Sequence, residues 1–520
     1  MSGAGAVLPP PLAIHRVGGA ALLAEYPGTA DVLAAAAALR TLAPAHLIDL
    51  VPAERSLLLT GDDARDVAGF TALLRQLPAG EEQDGPGAEL TLGIVYDGED
   101  LEQAADLLGM TSQALIAAHA AAEWTAAFGG FAPGFTYCVP EDATRALDVP
   151  RHPTPRPAVP DRSVALAGDF SAVYPRTSPG GWQLIGSTTQ PFWDAANESP
   201  ALLSPGDRVH YRAVTERVEV ATSTRKNVVS GPRRPVLRVD DPGLQVLVED
   251  AGRHGFGDLG VTDSGAADRG SAQAANEALG NRRDAAVLEN IGGLTLTALV
   301  ETVVVVTGAV ATVSVDGTAK DRGVPLLLGA GSELTVGSAT EGLRSYVGVR
   351  GGVVAESVLG SASTDLLSGL GPAPLEPGDT VYAGPARGSV RRVDAPVRTD
   401  GVLRVVPGPR DDWFAEGVEA LTGATWAVSA TSNRVGLRLT GEDPVTRDHE
   451  GELPSEGMIA GSVQVPPNGE PVVFLRDHAV TGGYPVIATV IPEDLDAAAQ
   501  LAPGAQVTFV EYRQPDQELS

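Results

Sequence analysis

Three stretches of this chain share one pattern. Leu203-Ser204-Pro205-Gly206-Asp207-Arg208-Val209 recurs as Leu375-Glu376-Pro377-Gly378-Asp379-Thr380-Val381 and, degraded, as Leu501-Ala502-Pro503-Gly504-Ala505-Gln506-Val507. A weaker relative runs from Gly329 to Val336. Pro followed by Gly supplies positions i+1 and i+2 of a type II turn, because proline fixes φ and glycine accepts a positive value. An alternating strand follows each mark. Each mark therefore reads as the closing hairpin of a β-rich unit. At 520 residues the chain is too long for one core, and the marks show where to divide it.

The division runs as follows. Residues 13–92 read as a small α/β domain of alternating strands and helices, the helices predicted over 31–42 and 63–77. Residues 93–212 form a second unit, with a helix predicted over 111–128, capped by Thr111 or Ser112, and short strands to Tyr211. Residues 81–87 read as an acidic connector containing Gly and Pro. Residues 213–234 have little periodicity and read as a linker. Two β-rich lobes follow, 235–400 and 401–515. Strands are predicted over 236–239, 244–249, 294–299, 302–307 and 345–349. Helices are predicted over 268–279, stopped by Gly280, then over 411–421, stopped by Gly423, and over 493–501. Many short strands with Gly/Pro turns point to barrels rather than a parallel sheet.

Composition excludes several functions. A formal charge of −29 argues against a nucleic-acid partner, since a phosphate backbone needs a basic surface. The single cysteine, Cys138, rules out an intramolecular disulfide and any multi-cysteine metal site, and it reads as a small buried hydrophobe rather than a nucleophile. The start lacks a basic region followed by an apolar run, and the longest apolar run, 300–313, is too short to span a membrane. The expectation is a cytoplasmic protein with no membrane partner. The two lysines, Lys226 and Lys320, complete no Gly-Lys-Ser/Thr phosphate loop. Ser223 to Lys226 matches S-x-x-K only formally, because nothing accompanies it.

Three Gly/Pro/aromatic clusters stand out: Gly129 to Cys138 (G-G-F-A-P-G-F-T-Y-C), Ser178-Pro179-Gly180-Gly181-Trp182, and Thr481-Gly482-Gly483-Tyr484-Pro485. They read either as tight turns with buried rings or as the rim of one site. Gly255 to Gly260 fits G-x-G-x-x-G, but another turn follows where a dinucleotide site needs a helix. The eight histidines are scattered and form no zinc motif. His119 shares a helix face with Leu115 and Ile116, so it is either a satisfied core histidine or a functional one facing the Phe131 and Phe135 loop. Asp250, Arg253, Ser264 and Asp268 fall in one turn-rich stretch. Asp268 either caps its helix or shares that N-terminus with a bound anion. Asp477 follows an apolar strand and precedes Tyr484, an arrangement open to acid/base work or to a solvated loop.

Taken together these residues carry a resemblance. Asp49-Leu50-Val51-Pro52-Ala53, His119, Gly130 to Tyr137, Tyr174-Pro175 and Ser178 to Gly186 make the first part similar to the allophanate-hydrolase-subunit-1 family. That family includes a sporulation kinase inhibitor and the B subunit of 5-oxoprolinase. Asp250-Ala251-Gly252-Arg253, Ser264 to Asp268, Asn276, Ser432 to Gly436, Ser455-Glu456-Gly457 and Thr481 to Pro485 make the rest similar to the allophanate-hydrolase-subunit-2 family, which includes the C subunit of 5-oxoprolinase. The resemblance covers nearly the whole chain.

It implies a mainly β fold with α+β parts. Cyclophilin-like flattened β-barrels stand in both halves, preceded by the small α/β domain. It implies a fused B/C component of ATP-dependent 5-oxoprolinase, a cyclic amide hydrolase that converts 5-oxo-L-proline to L-glutamate with a separate A subunit. ATP with Mg is its co-substrate, at a site the sequence leaves unassigned. Under it Asp477, Tyr484 and Glu289 handle proton transfer, and Arg253 and Arg434 bind anionic groups. His119, Phe131, Pro133, Gly134, Phe135, Tyr137, Gly180, Gly181, Trp182, Ser264, Asp268, Thr481, Gly482 and Gly483 complete the substrate site, with no metal ligand. Two alternatives stay open. One is the carboxyltransferase component of a urea carboxylase/allophanate hydrolase-type system, although Met1, Met110 and Met458 offer no M-K-M sequence and so no biotin on this chain. The other is a regulatory protein that binds a histidine kinase. A homo-oligomer is possible. Val486 stands where many relatives carry a basic residue, leaving Arg350, Arg410 and Arg434 as sources of positive charge.

Overall fold

The computed structural model describes residues 7–79, 87–152, 154, 156–197, 199–216, 232–394, 397–449 and 453–513. All of the 81–87 connector except Gly87, most of the 213–234 linker and Ser223 to Lys226 lie outside them.

The N-terminal unit is a four-stranded antiparallel sheet, in the order Ala13–Val17, Ala21–Glu25, Ser56–Thr60, Asp49–Pro52. Helices Thr29–Leu42 and Ala64–Leu74 pack on it, burying Leu39 and Phe70 against Leu22 and Leu59. Asp63 caps the second helix and Asp66 completes a capping box. The strand expected to finish this unit, Glu89–Ile94, belongs elsewhere. It pairs in parallel with Arg208–Ala213.

That pair edges a seven-stranded sheet, in the order Gln183–Ser187, Ser163–Ala167, Phe170–Val173, Thr136–Pro140, Glu123–Gly129, Arg208–Ala213, Glu89–Ile94. Val95 and Ser187 exchange backbone hydrogen bonds of 2.9 and 2.8 Å, stitching the two edges together. The helix expected over 111–128 stops early, at Ser112–Ala121, and Glu123–Gly129 is a strand. Alanine-rich sequence favours helix locally, but burial of Trp124 and pairing with Thr136–Pro140 prevail.

The third unit packs two sheets face to face. One is six-stranded and includes Arg234–Asp241 and Leu294–Ala298; the other is five-stranded and includes Gln245–Glu249, Val287–Ile291, Thr302–Val310 and Glu341–Val349. Their facing valines and leucines form one core. Helix Arg269–Leu279 covers the outer face and ends at Gly280, whose φ of 63° needs glycine.

The fourth unit is a closed seven-stranded barrel, in which Val402–Pro407 pairs in parallel with the last strand, Gln506–Glu511. The helix expected over 411–421 is instead a 3₁₀ turn, Asp411–Trp413, and a single turn, Glu419–Thr422. That over 493–501 shortens to Leu495–Ala499 behind a 3₁₀ turn, Pro492–Asp494.

All three Pro-Gly marks are turns. Asp207 donates to Ser204 at 3.0 Å, Asp379 to Glu376 at 3.1 Å and Ala505 to Ala502 at 3.0 Å. Gly206 and Gly378 take φ of 96° and Gly504 takes 85°. The first and third marks launch strands that pair in parallel, Arg208–Ala213 with Glu89–Ile94 and Gln506–Glu511 with Val402–Pro407; the second launches Thr380–Ala383, an edge strand. The barrels share a further device. Trp124 Nε1 donates to the carbonyl of His119 and Trp426 Nε1 to that of Leu421, each at 3.1 Å. The fold is therefore mainly β with flattened barrels in both halves and a small α/β unit in front. Among the described residues no helix is long and apolar enough to cross a membrane.

Candidate active site

The three Gly/Pro/aromatic clusters meet around one cavity of about 330 Å³. Phe131 and Phe135 come from the turn between two strands of the first barrel, Tyr137 from the second of those strands, and Trp182 from the barrel's rim. Thr481 to Tyr484 come from the other half of the chain.

Local backbone geometry makes this meeting possible. Phe131 takes φ of 61° and Gly134 of 76°, folding the loop back so that Gly130 donates to Phe135 at 3.1 Å. A Cβ on Gly130 would stand 2.8 Å from Thr481 Oγ1, so only glycine admits that side chain. The Phe131 N–H then donates to Thr481 Oγ1 at 3.1 Å. The rings pack edge to face, Phe135 on Trp182 at 5.4 Å and on Tyr174 at 5.2 Å, and Tyr137 on Trp182 at 5.5 Å. Such pairs hold each other rigid at little entropic cost. A Cβ on Gly180 would collide with the Tyr174 hydroxyl. Burial pushes the Tyr137 phenol up, outweighing Arg151 and the Ser455 and Thr481 hydroxyls, so it stays protonated at neutral pH. Gln464 Nε2 anchors the far loop through the Tyr484 carbonyl at 2.8 Å.

Arg151 supplies the charge. It lines the cavity, its guanidinium lies 5.9 Å from the Trp182 ring centre, and it has no hydrogen bond or ion pair among the described residues. Sequence reading missed it, as it missed Tyr174 and Ser455 as lining residues. Arg151 sits in a proline-rich loop with no periodicity to mark its direction. Tyr174 and Ser455 lie in stretches that carry the family resemblance, but nothing local gives their orientation.

The other expected sources of charge are engaged elsewhere. Arg410 pairs with Glu25 and Glu456. Arg350 donates to the carbonyls of Leu279 and Gly388, each at 3.1 Å. Arg434 is 2 % exposed and grips Asp477 with two parallel bonds, Nε to Oδ2 at 2.9 Å and Nη2 to Oδ1 at 3.0 Å. It also donates to Glu289 Oε1 at 2.5 Å and to the Gly265 carbonyl at 2.7 Å.

The structure thus brings Asp477, Glu289, Arg434 and Ser264 together, but away from the cavity. Ser264 Oγ donates to Asp477 Oδ1 at 2.8 Å, and Tyr346 OH to Glu289 Oε2 at 2.9 Å. Neither Asp477 nor Glu289 lines this cavity. They hold the segment that leads into Thr481. Glu249, which sequence reading overlooked, lies 3.4 Å from Arg434, and neither of its oxygens has a hydrogen bond among the described residues. Burial pushes its carboxyl well above the usual range despite Arg434, with Glu289 and Asp477 adding to the rise.

Four more expectations need correction. His119 does not wall the cavity. It is wholly buried inside the first barrel, bonded to Tyr96 OH at 2.8 Å and Ser171 Oγ at 2.9 Å and stacked on Tyr211 at 4.3 Å, and burial pushes it down to about 3. Asp268 caps its helix through Ser271 and accepts from Gln500 at 2.7 Å. The anion at that helix N-terminus is the protein's own Asp496, which accepts from the Arg269 and Gly270 amides at 2.9 Å each. Arg253 is buried against the Ser363 carbonyl, 4.0 Å from Asp365. Pro133 and Gly134 shape the turn without facing the cavity; a Cβ on Gly134 would meet the Phe192 carbonyl at 2.8 Å. Phe131, Phe135, Tyr137, Gly180, Gly181, Trp182, Thr481, Gly482, Gly483 and Tyr484 all line it.

Comparisons with known proteins follow the same division. Residues 12–203 match the family described as carboxyltransferase domain, subdomain C and D, and residues 259–511 match subdomain A and B. The 5-oxoprolinase C subunit of Escherichia coli strain K12 is 35% identical over 283 residues, covering 53% of this chain and 91% of that protein. The 5-oxoprolinase B subunit of Haemophilus influenzae is 33% identical over 180 residues, covering 34% of this chain and 82% of that protein. The crystal structure of TTHA0988 in space group P212121 matches with a TM-score of 0.83 at 35% identity, over 95% of this chain and all of that one.

Proposed function

The chain belongs to the carboxyltransferase-domain family, in a fused arrangement of the B and C subunits, and within it we propose that it is the B/C component of an ATP-dependent 5-oxoprolinase. In this reading it opens 5-oxo-L-proline to L-glutamate together with a separate A subunit, in the cytoplasm. The observation that carries the reading is the cavity walled by residues of both halves and tied by Phe131 and Thr481. Proteins named as the B and C subunits each match one of those halves.

The chemistry of the lining suits a small flat acid. The Arg151 guanidinium takes the carboxylate of 5-oxoproline. Trp182, Phe131 and Phe135 wall the five-membered ring and keep water from it. The Tyr484 hydroxyl, on a half-exposed side chain at the rim, donates to the lactam oxygen, where charge develops as the carbonyl is attacked. Asp477 acts as a positioning residue through Arg434, holding the base of the Thr481–Tyr484 loop.

ATP with Mg²⁺ is the co-substrate of this reading, and the cavity does not fit it. No carboxylate stands among the lining residues to hold Mg²⁺, and about 330 Å³ is near the lower end for one small ligand. The nucleotide has no step in this cavity, and in this reading its site belongs to the assembly with the A subunit.

The test mixes the A subunit with the purified chain and follows glutamate release that requires both ATP and 5-oxoproline. A second reading, carboxyl transfer, is favoured by the description of the family itself. Transfer of a carboxyl group from carboxybiotin to urea, with no glutamate release, would establish that reading in place of the first.

A further inference from the structure

A second cavity, of about 280 Å³, lies where the N-terminal four-stranded sheet meets the C-terminal half. The two-stranded ladder of Glu456–Gly457 and Thr481–Gly482 separates it from the first cavity. Met458 and Val480, which share a 2.9 Å backbone bond, face the second; Ser455 and Thr481 face the first. Its floor is apolar, made by Leu58, Met458, Ile459 and Leu495. Its polar side carries Arg269, Arg476, His254 and His478, facing Asp49, Asp62 and Asp263.

Each of these carboxylates already has donors from within the protein. Asp263 lies 3.0 Å from His254 Nδ1 and 3.9 Å from Arg269 Nη2. Asp49 accepts from the Leu50 and Gly257 amides at 2.8 and 3.1 Å. Asp62 lies 3.1 Å from His46 Nδ1. Arg476 is in the opposite condition. Arg476 has no side-chain hydrogen bond or ion pair among the described residues, and Arg269 Nε and Nη2 are shielded from solvent without a hydrogen-bond partner. His478 uses Nδ1 on the Ala479 carbonyl at 2.8 Å. Burial, followed by the like charge of Arg269, pushes the Arg476 guanidinium down to about 9, as enclosing an unpaired cation must. An unpartnered planar fork of donors beside an apolar floor is complementary to a carboxylate with a hydrocarbon body.

We propose that this cavity binds a small monocarboxylate, its carboxylate on Arg476 and its short hydrocarbon chain on the floor of Leu58, Met458 and Ile459. The site is separate from the 5-oxoproline cavity and does not depend on that assignment. A compact dianion such as phosphate would leave the floor uncovered, and an amine would leave Arg476 unpaired.

Isothermal titration of the full chain with hexanoate, hexylamine and inorganic phosphate tests this. Hexanoate binds and the other two do not. Arg476→Gln weakens hexanoate by at least about tenfold, the loss of a charged hydrogen bond. Ile459→Trp narrows the floor without touching a charge, and it weakens hexanoate while leaving acetate unchanged. Circular dichroism checks the fold of both variants, and Ile459→Trp decides if Arg476→Gln does not fold. Absence of hexanoate binding overturns the proposal, as does phosphate binding of equal strength. So does hexanoate binding that falls with Arg151→Gln but not with Ile459→Trp, which would put the ligand in the first cavity.

Discussion

The backbone N–H of Phe131 donates to the hydroxyl of Thr481 at 3.1 Å across 350 residues of sequence. This bond fastens a turn of the first barrel to a loop of the last, and the cavity exists because both are held. Thr481→Val keeps the shape and removes the acceptor, leaving a half-buried N–H unpaired. A stability loss of about 1–3 kcal/mol is expected, with a larger fall in 5-oxoproline turnover than the stability loss explains. Gly130→Ala places a methyl against Thr481 and should act in the same direction. Thermal unfolding and glutamate release measure the two effects separately; a Thr481→Val enzyme with unchanged turnover would remove the loop from the site.

Arg151→Gln separates binding from folding. The residue is exposed and without an ion pair among the described residues, so its replacement should change stability by less than about 0.5 kcal/mol. Loss of a charged contact to the substrate carboxylate should raise KM for 5-oxoproline by about tenfold or more. An unchanged KM would send the search for the carboxylate partner elsewhere.

Arg434→Leu should be the most damaging change. It leaves Asp477 and Glu249 buried without a cation and Glu289 with Arg344 alone, 3.3 Å away, a loss of roughly 3–5 kcal/mol. Asp477→Asn discriminates between roles. If Asp477 positions the loop, unfolding shifts and the folded enzyme keeps kcat within about tenfold. If it transfers protons to substrate, kcat falls far more and unfolding hardly moves. The geometry favours the first outcome.

His119 makes stability depend on pH. Burial lowers its folded value from 6.5 to about 3, so the unfolded chain binds the extra proton. Its contribution is full above pH 6.5 and is lost as pH falls from there toward 3. His119→Phe removes that dependence and strands the Tyr96 and Ser171 hydroxyls, so the variant should be less stable at about pH 8 yet lose less between about pH 7 and 5. Chemical denaturation at these pH values reads both, and parallel pH profiles for wild type and variant would refute the assignment.

Much of this architecture was legible because its causes are local. Pro-Gly forces a turn wherever it stands, so all three marks proved to be turns into strands. Gly280 and Asp268 bounded their helix for equally local reasons. Errors came where distant pairing overrode local preference. Glu123–Gly129 continues an alanine-rich helix in sequence, yet Trp124 and its partner strand draw it into the sheet. Glu89–Ile94 reads as the end of the first unit and is the edge of the second.

By itself the sequence determined the turns, most strand positions, the β-rich class and the three ring-and-glycine clusters, because each rests on the φ of one residue or the alternation of a few. Only the tertiary structure decided which of the singled-out residues share a cavity. Asp477, Glu289 and Arg434 looked like chemistry, and the fold paired them with one another in a dry interior, where an ion must be neutralised to be tolerated. Arg151 looked like nothing, and the fold left it unpaired beside Trp182. Which charges are spent inside the protein and which remain for a ligand is a matter of distance in space, and sequence spacing does not carry it.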